Sequence, residues 1–178
     1  MRRIPSTCFL LVLICSLSSC RKGMEKEVEK WDRSKGKAQE LMAVYPSFTV
    51  VIENELKTAQ LAMNRAMAEN GRKARMAKMA EASSMLQGGT VGFLDHIDKD
   101  TIELRNKVMA AASAARTEKA RVAIEVPADR AQGVLKKADD VLVNGVDDEQ
   151  QVQIVLKQLE SDVRSAIDAL DKVLRDIH

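Results

Sequence analysis

From Val152 onward the chain places an apolar side chain at every third or fourth position: Val152, Leu156, Leu159, Val163, Ile167, Leu170, Leu174 and Ile177 step by 4, 3, 4, 4, 3, 4 and 3. This spacing puts one stripe on one side of an α-helix and is close to the heptad seam of helices packed along their length. Such a helix gains most of its stability from tertiary packing, so it demands partners of similar length. Asp147 and Gln150 supply a capping box at its start. The seam is expected to bury against the second and third helices of the same chain. A homo-oligomeric coiled coil is the alternative.

The rest of the sequence supplies partners of the same kind. Residues 25–44 read as a first helix with Val28, Trp31, Ala38, Leu41 and Met42 inward, and Pro46 both ends it and opens the next. A long second helix is expected over 46–86, with Gly71 tolerated inside it and a stripe through Phe48, Ile52, Leu56, Ala59, Met63, Ala66, Met67, Ala74, Ala77 and Met85. Gly88-Gly89 stops it, and Thr90 stands as a cap for a third helix over 91–125. Pro127 is expected to break the chain before a fourth helix over 127–143, which Asn144-Gly145 ends. Aromatic residues make up only 3% of the chain, which excludes the strand-rich sandwiches and barrels, and 46% hydrophobic residues exclude disorder. No internal repeat is visible. The fold expected is all-α: an elongated antiparallel bundle of about four to five helices with long second and third members.

The N-terminus has a different character. Arg2 and Arg3 precede the uncharged run CFLLVLICSL over 8–17, too short and Ser-broken for a spanning helix, and Leu17-Ser18-Ser19-Cys20 follows. That order resembles a bacterial lipobox. The resemblance implies cleavage before Cys20 and a thioether-linked diacylglycerol on it, often with an N-acyl chain, which together anchor stably. Cys15 is the poorer candidate because bulky Ile14 precedes it. The division expected is a lipoprotein signal peptide over 1–19, a lipidated tether over 20–30 and a helical bundle over 31–178. Cys8, Cys15 and Cys20 are the chain's only cysteines, so the mature body keeps no thiol for a disulfide or a Cys-ligated metal.

Removing Arg2 and Arg3 leaves 26 Lys and Arg against 26 Asp and Glu, a balance without the electrostatic footprint of a nucleic-acid binder. The charge is nonetheless uneven: residues 21–90 carry +4 and residues 126–178 carry −4. Packing of these two stretches against each other would neutralise both.

Catalytic chemistry is poorly supplied. The histidines are His96 and His178, no His-Glu-x-x-His occurs, and Gly88-Gly89-Thr90-Val91-Gly92 has neither the strand nor the spacing of a nucleotide loop. Asp95, His96, Asp98, Asp100 and Glu103 form the densest set of ligand-type side chains, with His96 and Asp100 one turn apart and able to face one cation. The acids also suit the start of a helix, and their spacing fails the twelve-residue calcium loop. Met63 with Met67, and Met76 with Met79, have a spacing that suits Cu(I), or simply a flexible core filler. Arg72, Lys73, Arg75 and Lys78 spread round their helix and read as a solvated face before a contact for anionic lipid or cell-wall acid.

Trp31 followed fifteen residues later by Pro46, in the context Val44-Tyr45-Pro46-Ser47-Phe48, resembles the Trp-then-aliphatic-Pro-Asn-Leu segment of LemA-type helical proteins. The likeness covers about 25 of the 178 residues, Ser47 stands where that family prefers Asn, and its C-terminal Asn and Tyr motifs have no counterpart. It implies a membrane-anchored bundle of long helices.

The function expected is a non-enzymatic scaffold or protein-binding role for a lipoprotein of the bacterial cell envelope, without cofactor, held to the membrane by its lipid and facing the periplasm or the cell surface. Arg21 after the Cys, where Asp would retain the protein at the inner membrane in the enterobacterial scheme, favours the outer membrane. The alternative is a carrier of a small apolar ligand or metal within the Met-rich bundle. An enzyme ranks third.

Overall fold

The computed structural model describes the backbone of residues 7–177 and the side chains of residues 23–177. The side chains of the lipobox, Cys20 included, and His178 lie outside the described residues. Six α-helices make up the described chain: α1 (Thr7–Val44), α2 (Thr49–Met67), α3 (Arg72–Gln87), α4 (Thr90–Ala114), α5 (Glu118–Asn144) and α6 (Val152–Asp176). Short 3-10 turns at Pro46–Phe48 and Glu149–Gln151 lead into α2 and α6, and there is no strand among the described residues. The all-α expectation holds, with more helices than the sequence pattern suggested. The stretch 20–30, expected as a tether, is already helical within α1.

The long second helix does not exist. Residues 68–71 leave the helix, Gly71 takes an extended conformation (φ −87°, ψ 119°), and α3 turns back on α2. Basic side chains close the turn. Arg75 Nε and Nη2 donate to the Glu69 carbonyl at 3.0 and 2.6 Å, and Lys78 donates to the Glu69 carboxylate. Two short helices bury Ala59, Met63 and Ala66 on one side and Met79, Ala82 and Leu86 on the other in a shared core. One straight helix would leave its stripe without a partner. The reversal changes the facing stripe, so Met67, Ala74, Ala77 and Met85, expected inside, lie exposed.

The third helix also ends early. α4 stops at Ala114, and Thr117 caps α5 by accepting a hydrogen bond from Ala120 N at 3.2 Å. Pro127, the expected break, sits inside α5 without ending it. It removes one backbone donor, but Ala123, whose carbonyl would have received that bond, is exposed to water. Ile124 and Ala131 on either side of it are buried, and this packing holds the helix across the proline.

Side-chain contacts give the arrangement of the helices. An added Cβ at Gly23 would lie 2.9 Å from Met76 Cε, and Gln87 Nε2 donates to Ser34 Oγ at 3.1 Å. Both pairs are 53 residues apart, so α1 and α3 run parallel in constant register, with α2 antiparallel beside them. His96 with Glu160, Asp100 with Arg164 and Lys107 with Asp171 are each 64 residues apart, so α4 and α6 also run parallel, with α5 antiparallel.

Ascending positions of α1 meet ascending positions of α4: Lys37 pairs with Asp95 at 3.1 Å, and the Tyr45 hydroxyl donates to Asp98 at 2.5 Å. The second three-helix unit therefore overlaps the upper half of the first and continues past the Pro46–Phe48 turn. At about 1.5 Å per residue, the distance from Gly23 to the α4–α5 turn is roughly 50 Å. The stretch of α1 around Gly23 and the α2–α3 turn form one pole, and the α4–α5 turn with the end of α6 forms the other.

The seam of α6 is buried as expected, with Leu156, Leu159, Val163 and Leu170 at 0% exposure. Its neighbours are α4 and α5, and the expected role of the second helix falls to α5. Among the described residues no ion pair joins 21–90 to 126–178, so the opposite charges of the two stretches are not matched to each other. The ion pairs of α6 go to α4 and α5, through Arg164–Asp100 at 3.0 Å and Lys137–Asp162 at 2.9 Å among others.

Candidate functional site

The densest polar chemistry lies where α4 begins between α1, α2 and α6. Gly88 and Gly89 break the chain, and Thr90 opens α4 without a cap of its own. Glu55 of α2 does that work across 35 residues of sequence. Its carboxylate accepts from Thr90 N at 2.9 and 3.0 Å and from Thr90 Oγ1 at 2.6 Å. Gln153 Nε2 of α6 donates to the same Oε1 at 2.9 Å. A carboxylate is well placed there, since the helix start carries free N–H groups and the positive end of the dipole. Gly89 makes room, because an added Cβ would lie 2.6 Å from Glu55 Oε2. Glu55→Ala is expected to cost about 2 kcal/mol through the lost cap and the stranded Thr90 hydroxyl. Thermal melting with hydrogen exchange at the first turn of α4 checks this, and Glu55→Gln should recover part of the loss.

Beside this joint lies an open cleft of about 510 Å³, lined by Arg33, Ser34, Lys37, Val91, Asp95 and His96 among others. Burial pushes the Asp95 carboxyl up, but hydrogen bonds from Lys99 and Lys37 outweigh it and hold the group below the ordinary carboxylate value. Tyr45 is raised well above the usual phenol value, first by burial and then by its bond to Asp98. Both groups therefore sit in their structural protonation states at neutral pH, Asp95 as an acceptor between two lysines and Tyr45 as a donor.

The candidate metal pair is occupied with other work. His96 Nδ1 meets Glu160 Oε1 at 2.9 Å, and Arg164 spans Asp100 at 3.0 Å and Glu160 at 2.8 Å. The four side chains form a ladder across α4 and α6. Among the described residues no group of three or more His, Cys, Asp or Glu is placed to hold a metal ion. Met63 is buried while Met67 is 50% exposed, so the two thioethers do not face one site. Met79 is buried and Met76 packs near Gly23.

No family model matches this chain, and neither a curated protein nor a solved structure matches it. Its chemistry rests on its own geometry. Among the described residues no helix is long and apolar enough to cross a membrane. Gly88 and Gly89 form an interhelical turn, Gly92 lies in the first turn of α4, and a carboxylate from α2 takes the helix start, the position a bound phosphate would need. Sequence reasoning missed Glu55, Gln153 and the Tyr45–Asp98 bond. No local signal marks them, because each partner lies 35 or more residues away.

Proposed function

We propose that this chain is a lipid-anchored, non-enzymatic scaffold or binding protein of the bacterial cell envelope, carrying its acyl chains on Cys20. The observation that carries the reading is the order Leu17-Ser18-Ser19-Cys20 behind a basic start and an apolar run. Supporting it, His96 and Asp100, the pair the sequence offers for a metal, are committed to bonds between helices. The helical body then serves as a spacer that presents helix faces away from the membrane to a protein partner. Arg21 directs the protein to the outer membrane where the host sorts by the residue after the lipidated Cys.

Mass spectrometry of the mature N-terminus tests the anchor. The parent is expected to begin with a diacylglyceryl-modified Cys20, and Cys20→Ala to accumulate as precursor or leave the membrane fraction. An unmodified N-terminal residue in the parent overturns the reading. Cross-linking in intact cells followed by pull-down identifies the partner.

A further inference from the structure

We propose that the pole formed by α1 around Gly23 and the α2–α3 turn is a docking face for an anionic phospholipid surface, with Arg65, Arg72 and Lys73 as the contacts. The inference rests on the reading of Cys20 as the lipidated residue. The constant register of α1 on α3, fixed by Gly23 at Met76 and Ser34 at Gln87, puts backbone position 20 level with Lys73. The α2–α3 turn is therefore at the height of the acyl chains, and Arg65, in the last turn of α2, is at nearly the same height. Arg65, Arg72 and Lys73 are exposed, and among the described residues no carboxylate pairs with any of them.

Arg75 and Lys78 are used in closing the turn on Glu69, and Glu25 is likewise engaged. Among the described residues no ion pair joins the acidic stretch 126–178 to Arg65, Arg72 or Lys73. Met67, half exposed between Arg65 and the turn, offers an apolar contact of the kind that suits a headgroup boundary. Cations held near an anionic leaflet are attracted by its surface potential, and each strengthens binding about fivefold at moderate salt. Three together amount to about a hundredfold.

The test uses the mature chain beginning at residue 20, with Cys20→Ser, so that neither an acyl chain nor the apolar leader masks the measurement. It is compared with the same chain carrying Arg65→Gln, Arg72→Gln and Lys73→Gln. A third protein carries Arg116→Gln, Lys119→Gln and Arg121→Gln at the opposite pole. Each is sedimented with vesicles of phosphatidylcholine alone and of phosphatidylcholine with one part in three phosphatidylglycerol. On the anionic vesicles the anchored-pole variant is expected to bind up to about a hundredfold more weakly than the parent. The opposite-pole variant should bind as the parent does, and phosphatidylcholine vesicles should not distinguish the three. Equal binding of the parent and the anchored-pole variant to anionic vesicles overturns the proposal, and so does an equal loss in the opposite-pole variant. Far-UV circular dichroism of each variant confirms that the helices are intact. The lipid reading fails separately, on the mass of the mature N-terminus.

Discussion

Gly92→Ala is expected to destabilise the protein by about 3 kcal/mol or more, lowering the melting temperature by roughly 6–12 °C for a chain of this size. A Cβ at Gly92 would lie 1.8 Å from the Gln87 carbonyl oxygen and 2.7 Å from its carbon, which is backbone and cannot swing aside. Relief requires α3 and α4 to separate at the joint that holds the two units together. Gly36 and Gly133 provide the opposite case. They are exposed, lie within α1 and α5, and have nothing within 4 Å of an added Cβ. Alanine there should stabilise by about 1 kcal/mol through helix propensity alone. Thermal melts of the three variants give the comparison, and a Gly92→Ala protein that melts with the parent would refute the account of the joint.

Leu159→Ala is expected to cost about 2–5 kcal/mol, because a side chain with 0% exposure leaves a cavity that α4 and α5 can only partly close. Lys157→Ala and Asp168→Ala, on the exposed face of the same helix, should stay within about 0.5 kcal/mol. Melting parent and variant at two protein concentrations a hundredfold apart separates a seam buried within one chain from one shared between chains. Equal shifts at both concentrations support the single-chain core. A parent melting point that rises with concentration refutes it.

The C-terminal helix was readable in the sequence because its stripe is unbroken and its opposite face is charged. Pro46 and Gly88-Gly89 were readable for a related reason, since each imposes a backbone condition that no neighbour can override. The α2–α3 turn was not. A lone Gly costs a helix only about 1 kcal/mol, and the apolar pattern through Met63, Ala66, Met67, Ala74 and Ala77 stays in phase across it. Helical periodicity therefore registers no interruption where the chain reverses. Pro127 misled in the other direction, because burial of Ile124 and Ala131 offsets a local penalty. Thr117 followed by Glu118 did carry a start signal that the proline overshadowed. The interactions around Glu55 had no local signature. A cap supplied by another helix depends on how three elements meet, and nothing near Thr90 records it.

The overlap between the two units has a mechanical consequence. Their one covalent link is the short segment between Gln87 and Thr90. Beside it, Lys37–Asp95, Tyr45–Asp98 and the Glu55 clamp on Thr90 and Gln153 bridge the same joint. With α1 and α4 lapped side by side and pointing the same way, a pull between the two poles loads these bonds together, in shear, instead of peeling them one after another. The joint behaves as a riveted lap splice, able to transmit tension along the rod without first unwinding either unit.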